Sequence, residues 1–147
     1  MNAGREPSHT HRSRITVTPD RMAAFTALSG DTNPIHMDRQ SARDFGHPEQ
    51  MAYAGLLLAE VSRIIGVHLP GPGAVCVSYH FDFTAPVSVG ESVLFETVVA
   101  HRSEAAGVVL LEFTARREHD LVTAMQGSAT VKIPHVPAEA ALANEDG

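Results

Sequence analysis

Residues 51–67, MAYAGLLLAEVSRIIGV, are apolar on nearly every face, with Glu60, Ser62 and Arg63 as the polar side chains. A surface helix carries a polar stripe, so this pattern predicts a helix buried on most sides. Leu69-Pro70-Gly71-Pro72-Gly73 ends it and turns the chain. The remainder reads as strands. Val75, Val77, Tyr79, Phe81 and Phe83 alternate with Cys76, Ser78, His80, Asp82 and Thr84, the period of two expected of a half-buried strand. Pro86 to Gly90 is a turn, and β-rich runs follow at Ser92–His101, Gly107–Arg117 and Val122–Ile133. An apolar helix followed by an antiparallel meander predicts an α+β fold, a curved antiparallel sheet wrapped around one long central helix.

Upstream of the helix, Ile15 and Val17 suit a short opening strand. Thr18-Pro19-Asp20 reads as a helix start, with Thr18 as N-cap and Pro19 at the first helical position. Met22, Phe25 and Leu28 keep helical spacing, and Gly30 stops the helix. Asp31-Thr32-Asn33-Pro34 cannot continue it, because Pro34 pushes Asn33 into an extended conformation. A polar segment, Asp38 to Asp44, ends at Gly46. The expected organisation is a flexible tail over 1–12, one folded domain over 13–134 and a second flexible tail over 135–147.

The chain has 147 residues, 44% hydrophobic and 19% charged, which suits one globular domain. A formal net charge of -6 argues against a nucleic-acid partner. No apolar run reaches the length of a membrane span, and the N-terminal MNAGREPSHTHRSR has no apolar stretch behind its basic residues, so neither a membrane nor a secretory signal is expected. Cys76 is the single cysteine, which excludes an internal disulfide and fits a reducing cytoplasm.

The chemistry lies in FTALSGDTNPIHMDRQSA, residues 25–42. Asp31 and His36 flank a Pro-containing turn that can fold both side chains toward one pocket. A carboxylate can hold and deprotonate a water; an imidazole can orient that water or deliver a proton. The plainer reading makes Asp31 a turn cap and His36 a satisfied core histidine.

Phe25-Thr26-Ala27-Leu28-Ser29-Gly30-Asp31-Thr32-Asn33-Pro34-Ile35-His36, with Ala42 beyond, closely resembles the signature of (R)-specific enoyl-CoA hydratases and MaoC-like dehydratases. The likeness covers roughly residues 15–133, with its weight in 25–90. It implies a hotdog fold, a homodimer with substrate tunnels near the subunit interface, and no metal or redox cofactor. The implied substrate is an acyl thioester of coenzyme A or a carrier protein, in fatty acid or polyketide metabolism. Asp31 and His36 would form the catalytic pair, adding water to a trans-2-enoyl thioester or removing it from an (R)-3-hydroxyacyl thioester. Ser62 falls where the family keeps a helix serine that supports the catalytic hydrogen bonds; a hydroxyl bonded to its own helix is the alternative. Asn33 fits the motif as a residue that fixes the turn with Pro34.

One departure stands out. The family usually opens its central helix with an apolar residue followed by His-Gly-Met-Leu, where this chain has Tyr53-Ala54-Gly55-Leu56. A backbone N–H there would polarise the thioester carbonyl as an enolate forms. Ala54 can still donate that bond. A one-residue shift would put Gly55 at the family glycine, and the histidine is absent in either frame. Tyr53 would then offer its hydroxyl to the pocket or fill the vacated volume.

Other candidates carry less. His80 is expected to share a strand face with Cys76, Ser78 and Asp82, which reads better as a polar sheet face than as a cysteine–histidine nucleophile. No pair among the remaining histidines has the spacing of a zinc site. Arg39, Arg43 and Arg63 are available near the expected site for coenzyme A phosphates. The competing functions are a hotdog thioesterase, a conjugate-addition or elimination enzyme on a carrier-bound acyl group, and a non-catalytic acyl-thioester-binding subunit.

Overall fold

A computed structural model describes residues 9–134. Five strands, β1 (Thr10–Thr16), β2 (Val75–Phe83), β3 (Ser92–Ser103), β4 (Val108–Arg117) and β5 (Thr123–Lys132), form one antiparallel sheet in the order β1-β3-β4-β5-β2. Three α-helices accompany it, α1 (Pro19–Ser29), α2 (Arg39–Asp44) and α3 (Ala54–Arg63). Strand faces bearing Val93, Phe95, Val109, Leu111, Phe113, Ala129 and Val131 close over Leu57, Val61, Ile64 and Ile65 in one buried cluster. This is the expected α+β hotdog, a sheet curled around a helix. No helix among the described residues is long and apolar enough to cross a membrane.

Helix α1 follows its sequence signals. The Thr18 hydroxyl accepts a bond from the Arg21 N–H at 3.2 Å, Pro19 leads, and Gly30 closes the helix at φ 70°. Leu28, expected to pack with Met22 and Phe25, is exposed.

The central helix is shorter and less enclosed than its composition suggests. Met51 and Ala52 are extended, because Met51 bridges to Ser88 and the Ala52 N–H bonds the Val87 carbonyl at 2.8 Å. The α-helix begins at Ala54 and passes at Ile64 into a π-helical turn ending at His68. It buries one face, Leu57, Glu60, Val61, Ile64 and Ile65, while Ala54, Ala59, Ser62 and Gly66 are exposed.

The strands after the helix are not a simple meander. β3, β4 and β5 are, but β2 lies at the far edge against β5. β2 is exposed on nearly its whole length instead of half-buried. A bulge between Cys76 and Ser78 shifts its register and reverses the alternation. Cys76 pairs with the buried Val131 and so shares the α3-facing side with Tyr79. His80, opposite Ser128, points the other way, which removes the Cys76–His80 pair from consideration.

At the opposite edge, β1 takes in Thr10, His11 and Arg12, which the sequence reading had assigned to a tail. His11 stacks on His68, with ring centroids 4.4 Å apart, so a histidine of the expected tail meets one beyond the central helix. The rest of the expected tails, 1–8 and 135–147, lies outside the described residues. Beside the histidines, Glu60 is 5% exposed and accepts bonds from Ser13 at 2.7 Å and from Arg63 at 2.6 and 2.9 Å. Burial alone would raise the Glu60 pKa, but the bonds from Arg63 and Ser13 outweigh it and hold the carboxyl below its ordinary range. Burial, then the charges of His68 and Arg63, lowers His11.

Both shifts have the same sign for stability, because the unfolded chain binds protons before the folded one does. The contribution of His11 is present above 6.5 and is lost as the pH falls below that value. That of Glu60 is present above the ordinary carboxylate range and is lost at lower pH, through its depressed folded value. Thermal unfolding across pH is expected to show stability declining with acid in these two stages. Glu60→Gln should cost about 1–3 kcal/mol at neutral pH and remove the second stage, while the first persists and deepens because Glu60 no longer offsets the lowering of His11. An unchanged acid profile in that variant would dismiss the coupling.

Candidate active site

The turn after α1 is built from local side chain-to-backbone bonds. Ser29 Oγ accepts from the Asp31 N–H at 3.1 Å, and Asp31 Oδ1 accepts from the Asn33 N–H at 3.0 Å. Asn33 Oδ1 then caps a 3-10 turn, Pro34–His36, by accepting from the Ile35 N–H. Asx turns of this kind hold a chain without burying it, which suits a segment where Asp31 is exposed and His36 half-buried. The other oxygen of Asp31 has no protein partner among the described residues.

His36 Nδ1 lies 2.9 Å from the Met51 carbonyl oxygen. A carbonyl only accepts, so Nδ1 carries the proton of the neutral ring and Nε2 carries the lone pair. Nε2 is unpartnered among the described residues. The turn thus leaves one carboxylate oxygen and one ring nitrogen open.

Tyr53 joins the two residues. Its side chain is 2% exposed. The hydroxyl donates to the Asp31 carbonyl at 2.6 Å and lies 2.8 Å from the Thr26 hydroxyl, whose one proton is shared between it and the Met22 carbonyl 2.9 Å away. Its ring sits 4.2 Å from that of His36 and 4.6 Å from that of Phe25, centroid to centroid. The hydroxyl is therefore spent inside the protein, while the ring also fills space. Thr26 stands in the quoted motif, yet its partner is remote in sequence and no local pattern announces the contact.

Tyr53 is the N-cap of α3 but supplies no side-chain cap. Among the described residues the N–H groups of Ala54 and Gly55 have no acceptor, as the first turn of a helix supplies none internally. Ala54 is exposed, and with Met51, Leu57, Phe83 and Pro86 it lines a cleft of about 300 Å³. Gly55 cannot carry a side chain without displacing the Phe25 ring. The glycine is thus a packing requirement of the α1–α3 contact.

The other expected residues lie apart. Ser62 has no side-chain hydrogen bond among the described residues and lines a separate cleft of about 310 Å³ with Leu58, Ile65, Cys76 and Tyr79. Arg39 pairs with Glu49, Arg43 bonds the Pro48 carbonyl, and Arg63 is held by Glu60 and by His68 Nε2. No cluster among the described residues has the ligands for a metal ion.

The open carboxylate and imidazole belong to the turn that Tyr53, at the start of α3, contacts. The family model of the MaoC like domain matches residues 3–118, and the chain belongs to that family. It is 30% identical over 119 residues to an (R)-specific enoyl-CoA hydratase of Rhodospirillum rubrum, covering 81% of each chain. It is also 30% identical over 127 residues to a mitochondrial 3-hydroxyacyl-[acyl-carrier-protein] dehydratase of Arabidopsis thaliana, covering 85% of this chain and 75% of that one. Among solved structures it resembles the (R)-hydratase from A. caviae involved in PHA biosynthesis. That match has a TM-score of 0.82 and 28% identity over 90% of this chain and 100% of the other.

The close approach at Gly55 can be tested directly. Gly55→Ala is expected to lower stability by about 1–3 kcal/mol in thermal unfolding, since the Phe25 ring has to move against Tyr53. Pairing it with Phe25→Leu should recover part of the loss.

Proposed function

We propose that this protein is a hydro-lyase that reversibly hydrates trans-2-enoyl thioesters to (R)-3-hydroxyacyl thioesters, with Asp31 and His36 as its catalytic pair. The observation that carries the reading is the pair of open atoms, one Asp31 oxygen and His36 Nε2, on residues joined through Tyr53 at the start of α3. Relatives named as hydratases of enoyl-CoA and as dehydratases of 3-hydroxyacyl carrier-protein thioesters support the reaction class.

The steps follow from the tautomer. His36 Nε2 accepts one proton of a water while the Asp31 carboxylate holds the other. As the water oxygen bonds to the β carbon, the alkene electron pair moves toward the thioester oxygen. The open N–H groups of Ala54 and Gly55, at the positive end of α3, stabilise that charge. The proton on Nε2 then passes to the α carbon, and the enolate electrons return to form the new C–H bond. Dehydration runs the same steps backwards. The carrier is coenzyme A or an acyl carrier protein, and the compartment is the cytoplasm.

Asp31→Asn and His36→Ala should each lower kcat for hydration of crotonyl-CoA or longer trans-2-enoyl-CoAs by about 10²–10⁴-fold, read as loss of enoyl-thioester absorbance. Wild-type turnover in either folded variant would refute the pair.

The working unit is a homodimer. β2 is an unpaired sheet edge on which Val75, Val77, Tyr79 and Phe83 are between 46% and 60% exposed, and an edge so apolar invites a second copy. Light scattering is expected to give twice the 15.7 kDa chain mass, and Tyr79→Asp should return it to one chain. A wild-type monomer at micromolar concentration would contradict the assignment.

A further inference from the structure

We infer that Tyr53 is a positioning residue for the reaction, working with Thr26 to hold the Asp31 turn and the His36 ring in register. The inference rests on the assignment of Asp31 and His36 above and adds a role for a side chain that departs from the family pattern.

Four contacts carry it. The Tyr53 hydroxyl donates to the Asp31 carbonyl at 2.6 Å, and the Thr26 hydroxyl lies 2.8 Å from the Tyr53 phenol oxygen. The ring packs on His36 on one side and on Phe25 on the other. Of the groups that fix Asp31, the Asx turn and Ser29 are local to the turn, and both are exposed. Tyr53 alone among them is buried and belongs to the element that carries Ala54 and Gly55. It therefore sets the turn relative to the N–H groups that receive the thioester oxygen. Small displacements between a base and its target are costly in rate. The Thr26 hydroxyl also lies 2.9 Å from the Met22 carbonyl, which ties the pair back into α1.

The role predicts a signature that differs from simple stabilisation. Tyr53→Phe keeps the buried ring and removes only the hydroxyl. Well below its unfolding temperature, this variant should lose about 10- to 100-fold in kcat while KM stays within about two-fold. Thr26→Val removes the second hydroxyl and should act in the same direction by a smaller factor. The double variant should be no worse than Tyr53→Phe, because both changes break one chain of contacts.

Steady-state hydration of crotonyl-CoA by these three variants, with Asp31→Asn alongside, tests the inference. A folded Tyr53→Phe with wild-type kcat overturns it, as does a loss confined to melting temperature. Multiplicative losses in the double variant also overturn it, since the hydroxyls would then act independently. If Asp31→Asn is inactive and Tyr53→Phe is not impaired, only the positioning role falls. If Asp31→Asn hydrates normally, the catalytic pair falls and takes this role with it.

Discussion

The buried phenol of Tyr53 makes a bond that the site as a whole leans on. A hydroxyl in the core needs a partner, and here it meets the Asp31 carbonyl and the Thr26 hydroxyl. The aromatic body fills the angle between α1, the turn and the start of α3, with Phe25 and His36 against its faces. Gly55 follows from the same crowding, because only a residue without a side chain lets Phe25 come so close. One side chain thereby joins three chain segments whose own contacts are mostly local. The exposed turn can then remain open to water without drifting away from the helix.

The sheet has the complementary problem. Its middle strands are covered by α3, but β2 offers apolar side chains and unpaired backbone to the outside. The cleft that contains Ser62 opens along this edge, lined by residues of both α3 and β2. A second chain on that edge would bury both together.

The fold was legible because periodicity is a local signal. The cap of α1, its Gly30 stop, the turn at Pro34 and the last three strands all followed from nearest-neighbour rules. Three features were not legible. The bulge that turns Cys76 away from His80 leaves no mark in the order of residue types and shows only in pairing with β5. The length of α3 was overestimated because Met51 and Ala52 are as apolar as the helix but are held extended by Ile35, Val87 and Ser88. The neighbours of Tyr53 lie in other elements, so the motif located Asp31 and His36 but not the side chain that links them.

Glu60 has a consequence for assembly. On α3, Leu56, Leu57, Leu58 and Val61 span an arc of about 200° opposite Gly55, Ala59 and Ser62, a stripe too broad to fix the rotation of the helix by itself. Hydrophobic contact alone is non-directional and would accept several rotations of such a cylinder. A carboxylate admits one. Turned by a residue or slid by a turn, α3 would carry Arg63 along with Glu60 but take the carboxylate away from Ser13 on β1, losing the hydrogen bond that joins the two elements. Glu60, the one buried acid among the described residues, thus acts as a key, its bond to β1 favouring one docking of the helix over its rivals.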